Sequence, residues 1–238
     1  MELNRLIEDG AKITVSTVHS QATVREMLEG VNLPYPIITM DGAAIYNMDS
    51  MEYLRTNPMS PERAWQIMDW AHGEGLPFFT NCIEENLLVV RYAALANEGM
   101  ERHFAVKRKS PYRNFVHTPR DVTENVVYLM VMDTDARIEE VYPKLLAQSW
   151  SGDYRVARGQ SITEGYSFLK IYDASTSREA MLRELERIMG TRETVTFGGV
   201  PGKYDVYIED SDRDLVVKEI RRRFEPVDFR NWKSAFRM

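Results

Sequence analysis

Cysteine, long apolar runs and excess positive charge are all scarce in this sequence. Cys82 is the single cysteine among 238 residues, so no disulfide forms within the chain and a structural zinc site is not expected. No apolar run reaches the roughly 18 to 20 residues that span a bilayer. The net charge of −6 argues against nucleic acid or a membrane surface as a partner. These absences predict a protein of the reducing cytoplasm.

The composition is that of an ordinary globular protein. Hydrophobic residues make up 44% and charged residues 28% of the chain. At this length a core of normal size is available, in one large domain or two small ones.

Helix and strand patterns alternate at both ends of the chain. A helix over residues 2–9 precedes an apolar strand, Ile13–Thr17, and a second helix over 20–33 precedes the apolar run 35–47, which Asp41-Gly42 interrupts. The alternation resumes near residue 171. This pattern predicts an α/β fold with parallel strands. The expected sheet contains Ile13–Thr17, Ile37–Met40, Val195–Gly198 and Asp205–Ile208.

The middle of the chain has a different character. After a helix over residues 60–75, capped by Ser60 and Pro61, strand-like runs outnumber helices and their spacing suits an antiparallel sheet. We therefore predict a core domain formed by residues 1–47 and 171–238. Residues 48–170 form an inserted α+β cap domain in this interpretation.

Four stretches of the sequence resemble segments of a known family. "LIEDGAKITVSTVHS", "LPYPIITMDGAAIYN", "FLKIYDASTSREAMLRELERIMG" and "ETVTFGG" are similar, in order and spacing, to segments of the haloacid-dehalogenase-like (HAD) phosphatases of the Cof type. The second stretch is the most specific. The resemblance implies a Rossmann-like parallel core, here with its first strand apparently missing, and an α+β cap.

The resemblance also implies a chemistry. In that family an aspartate nucleophile and an acid/base aspartate lie in an Asp-x-Asp-Gly pattern, a Thr or Ser binds the phosphoryl oxygens, a Lys offsets negative charge, and further acids hold Mg²⁺. Such a site works by positioning and by electrostatic stabilisation of a charged transition state.

This sequence departs from that pattern at several positions. No Asp-x-Asp-Gly occurs in it. Thr17 matches the phosphate-binding Thr, but Val18 and His19 follow it where Gly and Arg are usual. Arg178 stands in place of the Lys, and its planar fork is not equivalent to an ammonium group. Gly199 stands where a metal-binding Asp is usual, with Asp205 or Asp210 as possible replacements.

Two explanations of these departures stay open. The chain is either a degenerate member that has lost catalysis or an active phosphatase whose N-terminal strand is missing from this sequence. A non-catalytic interaction protein is a further alternative. For the degenerate reading we expect no catalytic residue, no metal ligand and no cofactor, whereas a complete active site would take Mg²⁺.

We predict that the remaining site binds a phosphate-like anion or a small phosphorylated metabolite. Each of its residues also has an ordinary structural interpretation, as a strand-end cap, an exposed loop residue, a hinge or a surface charge. The predicted ligand-binding residues are Thr17, His19, Asp41, Gly42, Ala43 and Arg178.

A basic run in the predicted cap is the largest local excess of positive charge. It has too few regularly spaced aromatic residues to indicate nucleic acid, so it is either a solvated face or an anion-recognition surface. The run includes Arg102, His103, Lys107, Arg108, Lys109, Arg113 and Arg120. The sequence leaves the oligomeric state open.

Overall fold

The structure, a computed structural model, describes residues 2–191, 193–200, 202–209 and 213–224. The chain divides into two compact units. Unit 1 comprises Met1–Thr14, Glu29–Tyr35 and Glu186–Met238, and unit 2 comprises Val15–Leu28 and Pro36–Leu185. The predicted division into a core (residues 1–47 and 171–238) and a cap (residues 48–170) has different boundaries and stays a prediction.

Seven helices are described. They are α1 (Glu2–Glu8), α2 (Gln21–Met27), α3 (Pro61–Gly73), α4 (Glu98–Lys107), α5 (Asp135–Leu146), α6 (Arg178–Met189) and α7 (Arg213–Phe224). None of the helices among the described residues is both long and apolar enough to cross a membrane.

Eleven strands are described. They are β1 (Ile37–Thr39), β2 (Ala44–Asn47), β3 (Glu52–Thr56), β4 (Phe78–Glu84), β5 (Leu87–Tyr92), β6 (Arg113–His117), β7 (Val126–Thr134), β8 (Tyr154–Gln160), β9 (Tyr166–Asp173), β10 (Phe197–Gly198) and β11 (Val206–Tyr207).

Unit 1 contains α1, α7, β10 and β11. Strands β10 and β11 pair in parallel, with Phe197 opposite Val206. Helices α1 and α7 are joined by an ion pair of 2.9 Å between Glu2 and Arg221. Leu6 of α1 is buried, as is Ile220 of α7. Both strands are shorter than the predicted Val195–Gly198 and Asp205–Ile208, but they lie within those ranges.

A six-stranded sheet organises unit 2. Its order is β6-β5-β4-β7-β9-β8, and every pairing is antiparallel except that of β5 with β6. Side chains of a strand alternate between the two faces, so the apolar residues form two clusters. One cluster joins the sheet to α3 and α5. The other joins it to Met100 of α4 and to Met40, Ala43 and Ala44.

A small antiparallel sheet, β1-β2-β3, precedes the six-stranded sheet in unit 2. The turn between β1 and β2 falls at Met40–Gly42, where the sequence shows its Asp-Gly interruption. The predicted strand Ile13–Thr17 is reduced to one parallel bridge between Ser16 and Ile38. Two backbone hydrogen bonds flank this bridge, from the Ile38 N–H to the Val15 carbonyl and from the Thr17 N–H to the Ile38 carbonyl, both at 2.9 Å.

The basic run has regular secondary structure over much of its length. It contains most of α4 and all of β6. Helix α4 buries only Gly99 and Met100, so its sequence shows no clear helical spacing of apolar residues. Its start carries a usable signal, because Asn97 caps the helix by accepting the Met100 N–H and glutamates occupy the first turn.

Gly42 is required by the turn that it closes. Its φ is +92°, and a Cβ built there would lie 2.4 Å from the carbonyl carbon of Ser177. Because backbone atoms cannot swing aside as a side chain does, we expect Gly42→Ala to destabilise unit 2 by roughly 2 to 5 kcal/mol.

Gly75→Ala is the matched control for that substitution. Gly75 also has a positive φ, +67°, but a Cβ there meets nothing within 4 Å. Gly75→Ala should lower the free energy of unfolding by only about 1 kcal/mol, because backbone strain is its only cost. Urea unfolding followed by circular dichroism measures both variants. Equal losses would show that the close approach to Ser177 is absent.

Candidate anion site at the strand ends

The candidate site lies within unit 2, where the segment after Ser16 meets the turn after β1. The Thr17 N–H donates to the Ile38 carbonyl at 2.9 Å. The Asp41 N–H donates to the Thr17 carbonyl at 2.9 Å, and the Met40 N–H donates to the His19 carbonyl at 2.8 Å. These backbone bonds place the two predicted parts of the site side by side.

The turn itself has an unusual backbone. Met40, Asp41 and Gly42 have φ values of +51°, +59° and +92°. Residues other than glycine adopt this left-handed region at a cost of about 1 to 3 kcal/mol each. Three left-handed residues in succession therefore need support from their surroundings.

Asp41 supplies much of that support through two arginines. Arg155 of β8 donates to Asp41 Oδ2, and Arg178 at the start of α6 donates to Asp41 Oδ1, both at 2.5 Å. Arg155 also donates to the Asp41 carbonyl at 3.0 Å and to the Thr176 carbonyl at 2.8 Å. Burial alone would raise the pKa of Asp41, but the hydrogen bonds and charges of the two arginines outweigh it and lower the pKa.

Ala43 lies in the core and not on an open surface. It is 0% exposed and belongs to the apolar cluster that includes Met40 and Tyr172. Its carbonyl accepts the Asn57 N–H at 2.9 Å. Its predicted contact with a ligand stays a prediction, and its evident role is to anchor the turn.

Thr17 and His19 shape the loop that faces the turn. Thr17 Oγ1 accepts the His19 N–H at 3.2 Å, which closes a short turn before α2. His19 is exposed, yet partial burial, followed by the charges of Lys170 and Lys107, lowers its pKa. His19 is therefore neutral at pH 7.

Three further cations lie around this loop, and sequence reasoning did not assign them to the site. Lys170 of β9 donates to the Val18 carbonyl at 3.4 Å. Arg113 of β6 donates to the hydroxyls of Ser20 and Thr23. Lys107 at the end of α4 interacts electrostatically with both cations. We call Lys107, Arg113 and Lys170 the cationic cluster.

Burial sets the ionisation of the cationic cluster. Burial is the largest cause of the lowered pKa of Lys170, which is about 8. The charges of Arg113 and Lys107 lower this pKa further, whereas the charge of Asp41 raises it. Burial also lowers the pKa of Lys107 and of Arg113. His103 on α4 has a pKa lowered to about 3 by burial and by the same three cations.

The side chains at this site are not a suitable set of ligands for Mg²⁺. That ion prefers carboxylate oxygens and water in octahedral geometry, but both carboxylate oxygens of Asp41 accept from arginines. Among the described residues no group of three or more His, Cys, Asp or Glu side chains is placed to hold a metal. Asp205, a possible replacement ligand, accepts from the Thr196 N–H and hydroxyl in unit 1, and Asp210 lies outside the described residues.

Comparison with known proteins decides the family. The family model for haloacid dehalogenase-like hydrolases matches residues 1–199. The chain belongs to this HAD-like hydrolase family. The resemblance seen in the sequence is thereby confirmed, while the Cof-type subgroup stays a prediction. None of the curated proteins compared with the chain matches it.

Solved structures of HAD proteins share the fold. A haloacid dehalogenase-like hydrolase from Bacteroides thetaiotaomicron is 16% identical with a TM-score of 0.68, covering 94% of this chain and 90% of that one. A protein from Thermotoga maritima is 18% identical with a TM-score of 0.61, covering 84% and 73%. A HAD subclass IIB sugar phosphatase is 19% identical with a TM-score of 0.59, covering 83% and 70%. These likenesses confirm the predicted α/β fold class.

Asp41→Asn tests the double ion pair. Asparagine keeps the shape of the side chain and tolerates the left-handed backbone, so the variant removes mainly the charge. We expect a loss of roughly 1 to 3 kcal/mol at pH 7, since the pairs are partly exposed and the two arginines lose their negative partner and one of its two acceptor oxygens. Urea unfolding at several pH values measures this loss.

The loss should depend on pH in a defined direction. The pKa of Asp41 is lowered below 3.8 on folding, so its stabilisation is present above that pH and fades as the pH falls through the folded-state pKa. The difference between wild type and variant should therefore shrink from about pH 5 to about pH 3. Asp69→Asn, at an exposed helix position, is the control. A difference that is constant over this range would contradict the ion-pair account.

Proposed function

We propose that this HAD-like protein binds a small phosphorylated or otherwise anionic metabolite at the strand-end site, without hydrolysing it. One observation carries the proposal. The carboxylate of the site, Asp41, is neutralised by two arginines, while the cationic cluster has no carboxylate within ion-pair distance among the described residues.

The positive charges of the cationic cluster come from three separate elements. Lys107, Arg113 and Lys170 lie on α4, β6 and β9, and each acts on at least one of the others. Carboxylates act on the cluster only from a distance, Glu26 on Lys107 and Arg113 and Asp41 on Lys170. An anion placed among the cations would relieve their repulsion, and charge-assisted donors favour phosphate-like groups.

The affinity of this site for a lone anion has an upper limit. Each charge-assisted hydrogen bond contributes on the order of 1.5 to 3 kcal/mol before ordering costs. A lone phosphate should therefore bind no better than about millimolar. A metabolite with further groups would use additional contacts with the loop at Thr17–His19 and the turn at Asp41–Ala43.

Hydrolysis would need a nucleophile that this site does not offer. An aspartate that attacks phosphorus needs a free oxygen lone pair aimed at the substrate. Both oxygens of Asp41 are engaged, and the sequence has no Asp-x-Asp-Gly. The alternatives are an active phosphatase whose nucleophile strand is absent from this sequence, and a non-catalytic interaction protein.

The 238-residue chain should show no Mg²⁺-dependent phosphatase activity. The assay is hydrolysis of p-nitrophenyl phosphate, nucleotides and sugar phosphates with Mg²⁺, against an EDTA control. Turnover that Asp41→Asn abolishes would show that Asp41 is a nucleophile after all. Turnover that survives Asp41→Asn and disappears with EDTA would show a metal-dependent nucleophile elsewhere in this chain and would contradict the proposal.

Inorganic phosphate should bind in the millimolar range, equally well with and without EDTA. We expect Lys107→Met and Lys170→Met each to weaken this binding about ten-fold, because each removes one charge-assisted contact. Lys109→Met is the matched control, since Lys109 belongs to the same basic run but is exposed. Isothermal calorimetry with phosphate and hexose phosphates measures the change. Binding that is equally sensitive to all three substitutions would reflect general charge and contradict a defined site.

A further inference from the structure

Lys170 has an environment unlike that of a surface lysine. It lies in the middle of β9, between Met130 of β7 and Ala157 of β8, and it is partly buried. Its Nζ is 5.5 Å from the ring centre of Tyr128 and 5.4 Å from that of Phe168. Among the described residues no carboxylate pairs with it, and the Val18 carbonyl is its hydrogen-bond acceptor. An ammonium group has three donors, so this contact leaves two for a ligand.

Burial favours the neutral amine of Lys170, whereas the charge of Asp41 opposes this effect. Burial is the main cause of its pKa of about 8, with Arg113 and Lys107 adding to the effect. About a tenth of the amine is therefore neutral at pH 7, far more than for an ordinary lysine. Desolvation and a neighbouring cation are the two conditions that turn a lysine into a nucleophile.

Tyr172 provides a second, independent observation on the same face of β9, where the Arg155 guanidinium lies 4.5 Å from its ring centre. It lies two residues further along β9 and so faces the same side of the sheet. Its ring is 5.2 Å from that of Tyr128, over which Lys170 lies. The residue is 0% exposed, and its hydroxyl has no hydrogen-bond partner among the described residues. Such an orphan is uncommon in a folded protein and points to a polar group supplied by a ligand.

We propose that Lys170 is a reactive amine that condenses reversibly with a small anionic aldehyde or 2-oxo acid to form an imine. The preference for an anionic partner rests on the proposed anion site, because the cationic cluster would hold its charged group. The reactivity of the amine rests on Lys170 itself and does not need that site.

The chemistry balances without a further reagent. The lone pair of the neutral Nζ forms a bond to the carbonyl carbon, and the π electrons of the carbonyl move to its oxygen. A proton passes from nitrogen to that oxygen to give a carbinolamine. The nitrogen lone pair then forms the second C–N bond as the C–O bond breaks, the remaining N–H proton passes to the departing hydroxyl, and water leaves an imine. Amine and aldehyde become imine and water, and nothing is oxidised or reduced.

Two aldehydes of equal size test the proposal. Glyoxylate carries a carboxylate, and glycolaldehyde is neutral. Each is incubated with the 238-residue chain and sodium cyanoborohydride, which reduces any imine to a stable amine, and the alkylated lysines are located by peptide mass spectrometry. We expect Lys170 to be alkylated roughly ten-fold faster than exposed lysines such as Lys109. Its rate should level off above a pH of about 8.

Different results identify which idea fails. Glyoxylate labelling that phosphate suppresses supports both the reactive amine and the anion site. Equal labelling by both aldehydes, untouched by phosphate, supports the reactive amine and contradicts the anion site. Phosphate binding by calorimetry with no preferential labelling of Lys170 supports the anion site and overturns the reactive amine.

Two lysine-to-arginine variants test whether the labelling comes from the amine of Lys170. Lys170→Arg keeps the positive charge but has no nucleophilic amine, so labelling at this position must disappear while the circular dichroism spectrum stays the same. Lys109→Arg should leave the labelling of Lys170 unchanged. If Lys170→Arg does not fold, the pH profile and the phosphate competition in the wild-type chain still decide the question. Labelling of lysines in order of exposure alone would overturn the proposal.

Discussion

The structure of the site depends on the carboxylate of Asp41. It lies in a turn of three left-handed residues and is held by Arg155 from β8 and Arg178 from α6. These two ion pairs offset both the burial of the carboxylate and the strain of the turn. The same bonds engage both oxygens of the only acid among the predicted site residues, so this carboxylate fixes the backbone of the turn.

The alternation of β9 decides what faces that turn. Leu169 and Ile171 enter the apolar cluster under α3 and α5, so Lys170 must point to the opposite face with Phe168 and Tyr172. That face is the one covered by α4 and by the turn. The placement of a charged side chain therefore follows from the packing of its apolar neighbours. A shift of register by one residue would send it to the other face.

Much of the fold could be predicted because its signals are local. The cap at Ser60 and Pro61 located α3, and the Asp-Gly interruption located the turn between β1 and β2. Helix α4 was missed because it buries little. Thr17, His19 and Asp41 were foreseen as neighbours from their places at strand ends. Arg155 and Lys170 could not be, since their relation to Asp41 and Val18 arises from pairings across more than a hundred residues.

The ionisation of the cationic cluster links anion binding to the reactivity of Lys170. Lys107, Arg113 and Lys170 all have lowered pKa values, with burial as the first cause. Burying like charges together disfavours the folded chain, and a stable fold tolerates such a conflict mainly where function requires it. Asp41 offsets the conflict only in part, by acting on Lys170, because its carboxylate is shared by two arginines. A bound anion would offset it, and loss of a proton from Lys170 would relieve it in part. Anion binding and amine reactivity are thus two responses to the same unbalanced charge.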